Sequence, residues 1–229
     1  MGGKIWSEFQ CTKDGALLKF SVRNCTEERM EDATELFFDY LLKDEALQKI
    51  SGVAFSEDAR NECKPYLIGL LRQKTNHMVV CVEETTGKIV GASCMALSTK
   101  HERDIPTAML QTNEVKILFK ILSGMPDLYN IGKTYTVDKW YSGLGIVVHP
   151  DYRGLGVGSA LVRSRRHICK ELGVPLTTAW MTSLGTQKAA ARDGWETPFE
   201  IDSREFAKHF NATPSDGIAP TFKVMVAKP

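Results

Sequence analysis

Apolar residues along this chain recur with two periods, one near 3.6 residues and one near 2, and the switches between them mark out helices and strands. Ala16 to Val22 has the apolar content of a first strand. Thr26 then stands as the cap of a helix with Glu27 and Glu28 in its first turn, where the positive end of the helix dipole favours acids. Met30, Ala33, Phe37, Tyr40 and Leu41 give that helix one apolar face, and it is expected to end near Lys43. A second helix is expected from about Glu57 to Gln73, with Leu67, Leu70 and Leu71 inward and Pro65 marking a break or a fresh start. Met78 to Glu84 and Lys88 to Ala96 read as the second and third strands, joined at Thr85-Thr86-Gly87.

Between Ser98 and Lys139 the pattern predicts one helix, Asn113 to Leu122, stopped by Ser123-Gly124 and Pro126. This excursion is either a cover on the substrate side or a passive insertion. Trp140 to Val148 is the fourth and central strand. The helix after it carries Val157, Leu161, Ile168 and Leu172 on one stripe and stops at Gly173. Leu176 to Met181 is the next strand. Thr182 or Ser183 caps a short helix through Ala189, Ala190 and Ala191, which Asp193-Gly194 ends. Phe222 to Val226 is a closing strand. No internal repeat or linker interrupts this order, so residues 1–229 are expected to form a single α/β domain around a mixed sheet.

The most informative segment joins the fourth strand to its helix: Gly145 to Ser159, GIVVHPDYRGLGVGS. A β-branched run is followed by a His149-Pro150 turn, and Gly154, Gly156 and Gly158 then alternate into a helix start. Glycines so spaced turn several backbone N–H groups toward one point, and the helix dipole adds positive potential there. Such a loop suits a diphosphate. A dinucleotide fingerprint would need glycine where Ser159 stands, and a triphosphate loop would need G-K-[ST] where the chain has Gly158-Ser159-Ala160. A ligand-free glycine turn competes for the triplet alone; strand, turn, arginine and helix together favour the phosphate loop.

The remaining pattern, [QR]-x-x-G-x-[GA] with Arg153, Gly156 and Gly158 in its defined places, resembles the acetyl-CoA-binding motif of the GNAT superfamily of N-acetyltransferases. Within it the chain is most similar to the insect arylalkylamine N-acetyltransferases, over about residues 18–226. Phe37-Phe38 followed by Asp44-Glu45-Ala46-Leu47 looks like that family's F-F and E-P-L signature, with Ala46 in place of proline. Thr182-Ser183-Leu184-Gly185-Thr186-Gln187-Lys188 is similar to its serine-rich turn, with Gly194-Trp195 where G-F is usual, and Pro220 precedes a Lys-Val-Met-Val strand. The histidine that often follows this proline is Thr221 here. The resemblance implies a mixed, mostly antiparallel sheet flanked by helices and splayed around the fourth strand. It also implies acetyl-CoA as co-substrate, and Glu45 as catalytic glutamate. Small amines of the biogenic type, such as dopamine, serotonin, tyramine or octopamine, are the implied acceptors, with polyamines or agmatine as the other branch.

The chemistry of such a reaction constrains the residues. An alkylamine has a pKa near that of lysine, about 10.4, and only its neutral form attacks a thioester, so a base must take the proton. Glu45 is the candidate; from its position alone a solvated glutamate at a helix end is the alternative. The oxyanion of the tetrahedral intermediate needs donors already in place. A splayed strand at Ile146, Val147 and Val148 would offer free backbone N–H groups and an edge on which the pantetheine arm can lie. Arg153, the backbone of Gly154, Leu155, Gly156, Val157, Gly158 and Ser159, and Lys188 are assigned to the phosphates. Thr182, Ser183 and Thr186 either hydrogen-bond the sulfur and the water of the base or cap a helix. Phe37, Tyr40 or Trp140 would suit an aromatic amine, and Asp44 or Asp138 a polyamine. Direct, sequential transfer is expected, because no cysteine falls within these segments.

Composition narrows the partners. Lys+Arg 29 against Asp+Glu 28 leaves no basic excess for nucleic acid or an anionic membrane. Cys11, Cys25, Cys63, Cys81, Cys94 and Cys169 form no C-x-x-C pair and read as reduced thiols of an intracellular protein. The five histidines are dispersed without H-E-x-x-H, so no metal is expected. Met1 to Ser7 lacks the apolar core of a signal peptide and no apolar run reaches the length of a membrane span, so a cytoplasmic protein is expected, its oligomeric state open with a monomer favoured. The competing functions are a protein or peptide amine acetyltransferase and a non-catalytic acyl-CoA-binding protein.

Overall fold

The computed structural model of the chain describes residues 3–99 and 109–229, so part of the excursion, 100–108, lies outside the described residues. The chain opens with a strand that the hydropathy pattern does not announce, β1 (Ile5–Lys13), whose side chains are half-buried or exposed throughout. Asp14 and Gly15, both at positive φ, turn it tightly back onto β2 (Ala16–Asn24). After a short 3₁₀ turn, α1 (Met30–Leu36) passes into a π-helical turn, Phe37–Leu41, in which the Leu42 N–H reaches the carbonyl of Phe37, and ends in α2 (Leu42–Asp44). Thr26 occupies the cap position expected of it, but its hydroxyl makes no capping bond. Glu45 separates α2 from α3 (Ala46–Ser51), and α4 (Glu57–Leu71) follows. Pro65 neither breaks nor restarts α4.

The strands β3 (Asn76–Glu83) and β4 (Ile89–Thr99) form the expected hairpin. In the excursion α5 (Asn113–Leu128) runs through Ser123, Gly124 and Pro126 instead of stopping at them, and α6 (Ile131–Tyr135) is a second helix. Tertiary packing overrides the local signal: a Cβ on Gly124 would lie 2.6 Å from the ring of Phe210, so the glycine is a seat for that ring rather than a stop. Then come β5 (Lys139–Val148), α7 (Val157–Leu172), β6 (Thr177–Met181), α8 (Leu184–Arg192), β7 (Glu196–Asp202), α9 (Ser203–His209) and β8 (Thr221–Ala227). α7 ends on Gly173 in the left-handed conformation as expected, although Leu172, placed on its apolar stripe by spacing, is exposed. β7 and α9 add to the elements that the hydropathy pattern predicts; the strand has only two half-buried positions, Phe199 and Ile201.

Eight strands form one sheet in the order β1-β2-β3-β4-β5-β6-β8-β7, antiparallel except where β5 meets β6. That junction is short. Only Tyr141 with Thr177 and Ser142 with Thr178 are paired, and beyond Ser142 the two strands part. This is the splayed, mostly antiparallel GNAT-type sheet, and its fourth predicted strand is β5 because β1 adds one before it. Next to the parting, β5 carries a bulge: Cys94 pairs with Gly145 and Met95 with Gly143, leaving Leu144 extra.

Helices cover both faces. α7 packs Val157, Leu161, Ile168 and Cys169 against Phe20, Val79, Val90 and Met95. On the other face Ala33, Leu36, Phe37 and Leu41 meet Val80, Ala92, Cys94 and Val147. The excursion helix α5 docks Val115, Leu118 and Ile121 onto α3 and α4, together with Phe206 of α9 and Phe210 just after it. A Cβ on Gly145 would sit 2.9 Å from both Leu41 Cδ1 and Phe37 Cε1. Gly145→Ala is therefore expected to destabilise the protein by about 1–3 kcal/mol, read as a lower urea midpoint with unchanged slope.

Candidate active site

Glu45 is the residue on which the arrangement turns. Its backbone is extended, φ −72° and ψ 141°, which stops α2 and places the side chain as the cap of α3. Oε2 accepts from the N–H of Leu47 at 2.8 Å and of Gln48 at 3.2 Å, and Oε1 accepts from the hydroxyl of Thr182 at 2.7 Å. Part of the residue's surface is exposed, but the carboxyl group is enclosed by protein. Burial raises its pKa above the ordinary glutamate value, opposed first by the Thr182 hydroxyl and then by the amides of Gln48, Leu47 and Ala46. The Ala46 amide is one a proline would lack, so this chain adds a donor where the insect signature has none.

Thr182 immediately follows β6, so the bond from its hydroxyl to Glu45 ties the helical layer to the end of that strand. Ser183 and Thr186 lie apart from the carboxylate contacts. Ser183 caps α8 by accepting from the Thr186 N–H, the two hydroxyls are 2.9 Å apart, and the Thr186 hydroxyl donates to the Ser183 carbonyl. Gln187, which spacing did not single out, is buried and donates to the carbonyls of Met181 and Thr221, tying α8 to the ends of β6 and β8.

The glycine loop follows β5. Gly154 and Gly156 take positive φ, +82° and +90°, and Gly156 caps α7 without a side chain, leaving the first-turn amides of Val157, Gly158 and Ser159 uncapped. Nothing lies within 4 Å of a Cβ built on Gly154, so the loop is open where a diphosphate would approach. The edge of β5 at Ile146, Val147 and Val148 pairs with β4 on one side and, among the described residues, with no strand on the other. These features fit coenzyme A: amides for its phosphates and an open edge for its arm. The Arg153 side chain, expected on the phosphates, is otherwise engaged: Nε donates to the Val148 carbonyl at 3.1 Å and Nη2 pairs with Asp44 Oδ2 at 2.8 Å. Lys188 is exposed and has no polar partner among the described residues.

Of the aromatic candidates, Phe37 and Trp140 are core residues, the latter donating to the Ser142 hydroxyl, and Tyr40 lies against His149 with ring centroids 5.2 Å apart. Asp44 is taken by Arg153. The residue most clearly missed is Arg165, wholly buried beneath the β5 bulge. Its signal was present: it stands between Leu161 and Ile168 on the apolar stripe of α7, where a charge is out of place.

The profile of the Acetyltransferase (GNAT) family matches residues 44–192, from the residue before Glu45 to the end of α8. The chain belongs to the Acetyltransferase (GNAT) family. Members of this family use acetyl-CoA as co-substrate, and the fold is that of an acyltransferase. Among solved structures it is similar to an insect putative arylalkylamine N-acetyltransferase 7 from the yellow fever mosquito Aedes aegypti, with TM-score 0.85 and 25% identity over 98% of this chain and 94% of that one. It shares its fold with a mosquito arylalkylamine N-acetyltransferase like 5b (TM-score 0.73, 20% identity, 92% and 100% coverage). The same holds for a Drosophila melanogaster polyamine N-acetyltransferase (TM-score 0.72, 18% identity, 92% and 100% coverage). No curated protein sequence matches the chain. Among the described residues no helix is long and apolar enough to cross a membrane, and no group of three or more His, Cys, Asp or Glu side chains is gathered to hold a metal.

The Glu45 environment makes a direct prediction for this GNAT protein. In a ¹³C NMR titration its carboxyl group should protonate above the ordinary glutamate range, and Thr182→Val, which removes a donor to the charged form, should move the midpoint further up. A midpoint unmoved by the substitution would dissociate Thr182 from the carboxylate.

Proposed function

We propose that this chain transfers an acetyl group from acetyl-CoA directly to the nitrogen of a small primary amine, with Glu45 as general base. The carrying observation is the enclosed carboxylate of Glu45, held by Thr182 between the helical layer and β6. A carboxylate with a raised pKa is better matched to accepting a proton from an ammonium near neutral pH than a solvated one, and its charge draws the cation in. In this reading the amides of Gly154 to Ser159 hold the diphosphate, with Arg153 and Lys188 supplying positive charge. The open edge at Ile146, Val147 and Val148 takes the arm. Thr182 aims the base, while Ser183 and Thr186 fix the start of α8 and so the position of Thr182. Direct transfer is favoured because the nearby Cys94 thiol, opposite Gly145, is pushed up to about 12 by burial and makes a poor nucleophile.

An arylalkylamine is the preferred acceptor class. Asp44 is committed to Arg153, while Glu45 keeps an enclosed carboxylate whose pKa is raised. A polyamine calls for a second free carboxylate. The mosquito neighbours, named as arylalkylamine N-acetyltransferases, point the same way, and the Drosophila polyamine N-acetyltransferase to the other branch.

An amine panel with acetyl-CoA, followed by thiol release, tests this: tyramine and dopamine should turn over faster than spermidine, agmatine or a peptide amine. Ping-pong kinetics with an isolable acetyl-enzyme would overturn direct transfer. Glu45→Gln should lower kcat by about 10²–10⁴ and remove the acidic limb of the pH profile. Asp44→Asn frees Arg153 and should tighten coenzyme A binding a few-fold at low salt, an effect that fades as salt screens it.

A further inference from the structure

Arg165 is 1% exposed and lies within no salt-bridge distance of a carboxylate among the described residues. Burial pushes its pKa down to about 10, so it stays charged at neutral pH. Burying an unpaired charge is costly unless its donors are met. Two of its nitrogens are met: Nε donates to Ser93 Oγ at 3.1 Å, and Nη2 to the carbonyls of Gly145 at 3.2 Å and Cys94 at 3.4 Å. Those carbonyls flank the β5 bulge, so this half of the guanidinium serves the strand irregularity. Nη1 has no hydrogen-bond partner among the described residues.

Its location gives the missing partner a chemical identity. A Cβ on Gly143 would collide with Nη1 and lie 2.8 Å from the Ala179 Cβ, which puts the free donor at the seam of β5 and β6, one residue past their last pair. Residues two apart on a regular strand face the same way, but the extra Leu144 turns Gly143 toward α7 while Gly145 faces Phe37 and Leu41. From Val148, beside the phosphate loop, back to Gly143 is about 16 Å of strand at ~3.3 Å per residue, comparable with an extended pantetheine arm. An arm lying along β5 therefore ends at Nη1.

We propose that Arg165 Nη1 donates a hydrogen bond to the thioester carbonyl oxygen of the bound acyl-CoA and holds the oxyanion that forms there. The inference rests on the transferase reading of the site. The neutral amine attacks the thioester carbon from the Glu45 side; the C–N bond forms as the carbonyl π pair moves onto the oxygen beside Nη1. Collapse restores the C=O bond and the C–S pair leaves on sulfur, which takes the proton lost by the attacking nitrogen, while Glu45 holds the proton it removed from the ammonium. Arg165 keeps all its protons throughout. Base and positive charge thus address the reacting carbon from opposite faces of β5.

Arg165→Met keeps the length and apolar stem while removing the donors. It should lower kcat about 10²–10³-fold, as loss of an oxyanion donor does, and weaken acetyl-CoA binding while leaving binding of CoA, which has no thioester carbonyl, nearly unchanged in calorimetry. Equal weakening of both ligands would mark a merely structural arginine and overturn the proposal. Should the variant fail to fold, the wild-type protein carries the test. With ¹⁵N-arginine labelling, the slowly exchanging Nη1 protons of this buried group should shift on adding acetyl-CoA and much less on adding CoA. The same shift with both, or none with either despite binding, overturns the assignment to the thioester. If neither ligand binds, the proposal falls together with the transferase reading.

Discussion

The parting of β5 from β6 after two residue pairs is the constraint that organises this molecule. A parallel junction so short leaves unpaired backbone in the middle of a sheet, where every N–H and C=O normally finds a neighbour. The bulge at Leu144 re-aims the strand at that place, and the guanidinium of Arg165 takes up the carbonyls of Cys94 and Gly145 on either side of it. On the opposite face the π-helical turn at Phe37–Leu41 lets Phe37 and Leu41 press on Gly145, and three residues later the chain breaks to deliver Glu45. A π-turn inserts one residue into the helical phase, so the same irregularity that seats the helix on β5 sets the direction in which the following carboxylate emerges.

The Glu45 carboxylate is held by groups from two distant parts of the chain, the start of α3 and the residue after β6. Its hydrogen bonds favour the charged form while its enclosure favours the neutral one, and burial wins. Such a balance suits a group that must alternate between the two forms. Asp44, its neighbour in sequence, faces the loop and pairs with Arg153, so adjacent carboxylates divide the work: one is enclosed toward β6, the other is half-exposed toward the glycine loop.

Much of this was legible in the residues. The glycine loop, its strand and its helix rest on local rules, and so does the Ser183 cap of α8. β1 and β7 escaped because strands at the margins of a sheet bury little and show weak alternation; the Asp14-Gly15 turn was the sign that a partner strand precedes β2. Gly124 and Pro126 read as stops because nothing local reveals that Phe210 will pack over the helix there. Within the site, Glu45 and Thr182 were both named, but their contact spans 137 residues and belongs to the fold, as does the capture of Arg153 by Asp44.

The sheet's outer margins have a consequence of their own. A free strand edge invites another molecule to add to it. β7, at one end, carries Pro198, which offers no amide, and its register with β8 slips between Glu196 and Phe199. β1, at the other, is studded with Lys4, Glu8 and Lys13 in and beside it and slips against β2 near Ile5. The receptive backbone is kept instead in the interior of the sheet, flanked by helices. The protein thus keeps an unfinished ladder without becoming a template for aggregation.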